Sequence, residues 1–198
     1  MLLIRTIFLL SLYACLGAYR LYPGRPARTK WHVERSSSIS IAGSTNVNRF
    51  CCQVNEYITP DTITINADGA SFLGDLSVNI DDFNCNNRMM TGEFKKTLRY
   101  KEHPQLRIIF ISLEKMPVFD AVPETVKGCV EVELAGICRK FDMTYSSCRI
   151  DTGNVELIGA RAFGFSDFGL TPPRKMGGIV RVNDRLDVQF KLHLRQIN

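Results

Sequence analysis

The sequence predicts an all-β protein: an antiparallel barrel or sandwich of about eight strands, with one amphipathic helix set among them. The main observation is a period of two. Leu186, Val188, Phe190, Leu192 and Leu194 alternate with Asp187, Gln189, Lys191, His193 and Arg195, the pattern of a strand with one dry and one wet face. A second is that such stretches recur at short intervals, as in a closed or two-layered antiparallel sheet. A third is size: 198 residues, 45% hydrophobic, 23% charged and with 12 phenylalanines. That suits one domain with a real core and excludes a disordered chain or a TIM barrel.

In chain order, strands are expected at 39–41, 62–65, 76–80, 106–111, 126–134, 141–145, 155–165 and 186–194. In 126–134, Val130, Val132 and Leu134 alternate with Lys127, Glu131 and Glu133. Next, Phe141, Met143 and Tyr145 alternate with Lys140, Asp142 and Thr144. Between the third and fourth strands the period changes. Met90, Phe94 and Leu98 recur every four residues, predicting an amphipathic helix over about 86–100, closed by His103-Pro104.

Residues 1–18 read as a secretory signal, with Arg5 before an apolar run too short to span a bilayer and small residues around a cut after Gly17. Leu12-Tyr13-Ala14-Cys15 also approximates a lipobox, which would anchor the chain through Cys15. Residues 19–30 read as a linker carrying Arg20, Arg25, Arg28 and Lys30, and 31–198 as the domain. The net charge of +5 is scattered, so no nucleic-acid partner is expected.

Loss of the leader leaves Cys51, Cys52, Cys85, Cys129, Cys138 and Cys148. An even count in an exported chain suits disulfides; the same residues also serve as small buried apolar side chains. No zinc-finger spacing occurs. If Val132 faces Tyr145 and Leu134 faces Met143, the same register sets Cys129 opposite Cys148. That allows a second bridge and leaves Cys138 in the hairpin loop. Chemistry motifs are sparse. HExxH, GxSxG and a Walker loop are missing, and His32, His103 and His193 are far apart. A binding protein is expected, with no catalytic residues, metal or resident cofactor.

Several segments together resemble a known family: Trp31-His32-Val33; 39–50, ending in Asn46-Val47-Asn48-Arg49-Phe50; Met89-Met90 through Tyr100; His103-Pro104; the hairpin around Ala135-Gly136; and Ser166-Asp167-Phe168-Gly169-Leu170 before Pro172-Pro173. This order is similar to that of the YceI-like lipid and polyisoprenoid-binding proteins. The resemblance implies an extended eight-stranded antiparallel β-barrel, lipocalin-like, with the helix at its side or mouth. It also implies a Cys52–Cys85 bridge, periplasmic or secreted location, and a polyisoprenoid, prenyl quinone or acyl chain as ligand. A membrane surface and a homodimer are further expected partners.

The expected ligand-binding residues are Phe50, Met89, Met90, Phe94, Leu98, Ile108, Phe110, Val130, Val132, Phe141, Met143, Tyr145, Phe163, Phe165, Phe168, Val188 and Phe190, all apolar or aromatic. To these we add Arg161, which shares strand parity with Phe163 and Phe165 and is expected inside, near a polar head group, unless a bulge or strand end turns it to solvent. An apolar tail against the dry faces would gain ~0.8 kcal/mol per buried CH₂. The same aromatics would suffice to plug the barrel, which would make a solid interaction or stress protein.

Overall fold

The computed structural model describes residues 28–66, 71–120 and 122–197. The leader reading of 1–18 and the Cys15 anchor therefore lie outside the described residues. Alternating stretches become strands whose apolar positions share one interior: β1 (Arg28–Val33), β2 (Ser38–Thr45), β3 (Arg49–Val54), β4 (Thr62–Asn66) and β5 (Phe72–Asn79). After α1 (Arg88–Thr97) come β6 (Gln105–Leu113), β7 (Glu124–Leu134), β8 (Ile137–Asp151), β9 (Asn154–Gly164), the two-residue β10 (Arg174–Lys175) and β11 (Val180–Ile197). β1 begins within the stretch read as linker.

Eight strands close the barrel in the order β1-β4-β5-β6-β7-β8-β9-β11, and β1 pairs back onto β11. All pairings are antiparallel. β11 is 18 residues long and serves two neighbours on one side. Near its end, Leu194 and Gln196 pair with Val33 and Trp31 of β1. Nearer its start, Leu186 to Lys191 pair with Gly43 to Ser38 of β2, and β3 extends that hairpin.

α1 stands beside β3, the two sharing one cleft through Phe50 and Met90. Asn87 caps this helix by accepting a hydrogen bond from the Met90 amide at 3.0 Å, satisfying a donor that the helix start leaves free. Its buried Phe94 and the buried Leu98 that caps it turn inward. Just upstream, a Cys52–Cys85 disulfide and a two-way Gln53–Asn84 backbone bridge tie the helix leader to β3. The helix ends at the Leu98 cap, and Arg99 enters left-handed backbone at φ 57°.

The β7–β8 hairpin corrects the predicted register. Its turn is only Ala135-Gly136, both at positive φ (52° and 81°), as a two-residue type I′ connection demands. Leu134 therefore faces Ile137, Val132 faces Arg139, and Cys129 faces Asp142. Cys138 lies in β8 opposite Glu133, outside any loop. Cys129 and Cys148 are both free, as are Cys51 and Cys138, so the Cys129–Cys148 pairing is overturned.

The solid part of the barrel is aromatic. Phe72 and Phe110 lie 4.3 Å apart between ring centroids, Phe110 and Phe190 5.7 Å, and Tyr145 and Phe190 6.0 Å. All four side chains are buried. Outside, the wet face carries ion pairs: Arg107 of β6 bridges Asp75 at 2.5 Å and Glu133 at 3.0 Å.

Candidate functional site: an apolar cavity and its mouth

At the end of the barrel where β9 finishes and β11 begins, the aromatic packing opens into a small cavity of about 50 Å³. Its walls carry Ile41, Leu106, Ile108, Val132, Leu134, Met143, Leu186, Val188 and Phe190 from the strands. Phe94 and Leu98 come from α1, and Phe165, Phe168 and Leu170 from the turn after β9, with Phe163 beside them. No ionisable side chain borders it. Phe190 belongs to both the solid aromatic group and the cavity wall. A water needs only ~10–15 Å³ of such space, whereas an engineered apolar cavity that accepts benzene measures ~150 Å³. In this conformation the space is too small for a prenyl chain.

Beside it lies a wider cleft of about 330 Å³. The end of β2 and the turn after it contribute Thr45, Val47 and Asn48 to it, and β3 contributes Phe50. α1 presents Met89, Met90, Glu93 and Thr97, and the far wall is Pro173, Lys175, Val180 and Val182. Phe94 and Phe165 border both spaces, so these two rings separate the inner cavity from the mouth. Across the mouth, Lys175 Nζ lies 2.6 Å from Glu93 Oε1.

The expected residues therefore divide. Phe94, Leu98, Ile108, Val132, Met143, Phe163, Phe165, Phe168, Val188 and Phe190 border the cavity, and Phe50, Met89 and Met90 the mouth. Phe110, Val130, Phe141 and Tyr145 are buried in packing and border neither. Met89 is 77% exposed. One position from Met90 on the helix, it points outward rather than forming an inner wall.

Arg161 is also corrected. The β8–β9 ladder ends at Thr144 and Ala160, just before Arg161, and the side chain occupies the split that follows. Its guanidinium stacks 5.0 Å from the Phe141 ring centroid and 5.7 Å from that of Phe163, and Nη1 donates to the Asp142 carbonyl. It borders neither the cavity nor the mouth. Parity set the backbone direction correctly, but the ladder's end let the side chain fold into the wall.

Sequence reasoning missed Glu93 and Lys175, which are polar and distant from each other in sequence. Ile41 and Leu186 were legible as inward positions of their strands. The structure also assembles an unexpected trio. His193 Nδ1 lies 2.6 Å from Ser36 Oγ, and its Nε2 lies 3.1 Å from Glu156 Oε2. Lys191 also holds Glu156, at 2.7 Å. This network sits on the outer face of β9 and β11, with no member in the cavity or the mouth.

Two buried phenols behave differently. Tyr57 donates to Asp61 and accepts from the Ser77 amide at 2.9 Å; burial, then Asp61, pushes its ionisation upward. The Tyr145 hydroxyl has no partner, and burial, then the nearby Cys129, raises it as well.

No protein-family model matches the sequence, and no curated protein does. Solved structures do match the fold. A polyisoprenoid-binding domain from Saccharophagus degradans, implicated in plant cell wall breakdown, aligns over 84% of this chain and 97% of its own. Its TM-score is 0.62 at 11% identity. BcnA of Burkholderia cenocepacia aligns over 81% and 98%, with a TM-score of 0.65 at 14% identity. The YceI protein of Campylobacter jejuni aligns over 70% and 81%, with a TM-score of 0.56 at 14% identity. The barrel with its mouth helix is thus the fold of the YceI proteins, as the order of motifs led one to expect.

Proposed function

We propose that this protein binds a single long apolar lipid, with its tail in the barrel and any head group left at the mouth. The observation that carries this reading is the pair Phe94 and Phe165, which border both a wholly apolar cavity and a cleft beside it. Entry requires these rings and the adaptable Met90 and Met143 to move, since about 50 Å³ does not admit a chain. Each methylene then buried contributes ~0.8 kcal/mol, so length rather than polar contact sets affinity. The similar domain from Saccharophagus degradans, described as polyisoprenoid-binding, supports an isoprenoid or acyl ligand. We read the protein as a carrier rather than an enzyme. The Cys52–Cys85 bridge supports an oxidising, extracytoplasmic setting.

The small cavity and the solid aromatic half also favour a second reading, a ligand-free barrel acting as an interaction or stress protein. Native mass spectrometry of the protein from its host, followed by organic extraction, separates the two. A stoichiometric adduct that extracts as a prenyl or acyl lipid is the expected result. A bare mass that stays unchanged after incubation with quinones and polyprenols sinks the carrier reading.

A further inference from the structure

Isolated exposed apolar residues are ordinary on a protein surface, but the rim of the mouth gathers four. Val47 is 66% exposed, Met89 77%, Met176 73% and Ile179 70%. They come from three segments. Val47 is in the β2–β3 turn, Met89 in the first turn of α1, and Met176 and Ile179 are in the short connection between β10 and β11. Asn46 joins two of these segments, donating from Nδ2 to the Ile179 carbonyl and accepting at Oδ1 from the Arg181 amide, both at 2.9 Å. Val47 and Met89 share the cleft with Lys175 and Val180.

Cations are interleaved with these side chains. Arg49, Arg88, Arg174, Lys175 and Arg181 are all exposed. Among the described residues only Lys175 has an ion-pair partner, Glu93. Asp184 takes both the hydroxyl and the amide of Ser166, and Asp167 takes the Gly164 amide, so neither is ion-paired with these cations.

Three local features of the rim are unfavourable for the folded protein alone. Arg174 lies directly opposite Arg181, and like charges so placed repel. Arg88 sits in the first turn of α1, at the end of the helix dipole that disfavours a cation. Met176 adopts φ 52°, left-handed backbone that a residue with a side chain rarely takes up, and there it presents an exposed thioether.

Apolar side chains projecting from separate loops, ringed by unpaired cations, match the chemistry of an anionic bilayer surface. The apolar tips enter the acyl boundary while arginines meet phosphates. We propose that the mouth rim docks on anionic lipid membranes through Met176, Ile179, Val47 and Met89, with Arg174 and Arg181 as the main charge contacts. The cleft would then face the membrane. The inference takes its purpose from the lipid-carrier reading, but its test is independent of it.

The test uses the full chain carrying Ile179→Trp, with vesicles of phosphatidylcholine containing one quarter phosphatidylglycerol and brominated acyl chains. The sole native tryptophan, Trp31, is 5% exposed, so the new indole reports the rim. Ile150→Trp is the control. Ile150 is 53% exposed and lies at the opposite end of the barrel, in the β8–β9 hairpin.

Ile179→Trp is expected to shift to the blue and be quenched by anionic vesicles. It should be released by added salt and affected weakly by neutral vesicles, while Ile150→Trp stays unquenched. Adding Arg174→Glu and Arg181→Glu together should weaken binding by at least about tenfold. Equal quenching at both positions, none at Ile179→Trp, or a blue shift before vesicles are added (a protein or second copy covering the rim) would overturn the proposal. Docking by a protein that neither co-extracts nor takes up a lipid leaves this inference standing and removes the carrier reading; a co-extracted lipid without docking does the reverse.

Discussion

The ring of Phe190 lies across the backbone of Gly159, its direct partner in the β9–β11 ladder. A Cβ on residue 159 would fall 2.1 Å from the Phe190 Cζ, far inside van der Waals contact. The absent side chain leaves room for the ring that belongs to both the solid half and the cavity wall. Gly159→Ala is expected to cost about 1–3 kcal/mol from overpacking. Combining it with Phe190→Leu should recover part of that cost. Urea unfolding of the two singles and the double measures the coupling, and strict additivity would show that the two residues do not compete for space.

The two buried phenols make opposite predictions. Tyr145 carries an unpartnered hydroxyl, so Tyr145→Phe should leave stability unchanged or raise it. The Tyr57 hydroxyl serves both Asp61 and the Ser77 amide; Tyr57→Phe takes a partner from each and leaves them only their mutual 3.3 Å contact, at about 1–3 kcal/mol. Thermal melts of the pair provide the comparison.

Across the mouth, the Glu93–Lys175 ion pair joins α1 to the β10 segment at 2.6 Å. Half-exposed pairs of this kind contribute at most ~1 kcal/mol, which bounds the effect on opening at about fivefold. Glu93→Gln is therefore expected to speed stopped-flow uptake of a fluorescent fatty acid two- to fivefold, with little change in melting temperature. An unchanged uptake rate would mean that entry does not pass between these elements.

Reduction provides a further check. Cys52 and Cys85 are 33 residues apart in sequence, and closing a loop of that length is worth roughly 3.5–4 kcal/mol on the chain-entropy account. Cys52→Ala should lose about that much. Hydrogen exchange should quicken first in the opening turn of α1, which the bridge holds against β3.

The carboxylate of Glu156 predicts a pH dependence. Burial alone would raise its ionisation, but hydrogen bonds from Lys191 and His193 outweigh burial and hold it below the ordinary value. A folded value below the unfolded one means the charge stabilises the fold above a pH of about 4.3. That contribution is lost as pH falls through the folded value. Glu156→Gln should be less stable than wild type near neutrality by under ~1 kcal/mol, and the gap should close in acid.

Alternation made most of this molecule readable. The dry faces of β7, β8, β9 and β11 follow from period two, and Phe141, Met143, Phe163 and Phe190 face inward as that pattern requires. Register was less legible, because Ala135 occupies a left-handed turn position where asparagine, aspartate or glycine is the usual signal. A tighter turn than expected shifted the whole hairpin and separated Cys129 from Cys148. The mouth was hardest to read. Glu93 meets Lys175, and Asn46 meets Ile179 and Arg181, only because β11 returns alongside β2. No local pattern encodes contacts between segments so far apart.

The aromatic packing of Phe72, Phe110, Tyr145 and Phe190 has a consequence for traffic. It acts as a stopper between the cavity beyond Phe94 and Phe165 and the far end of the barrel. On the carrier reading, a tail that enters past Phe94 and Phe165 would meet this stopper and would leave head first by the way it came. The direction of any delivery is then decided at the doorway, by which neighbouring surface holds the departing head group more strongly.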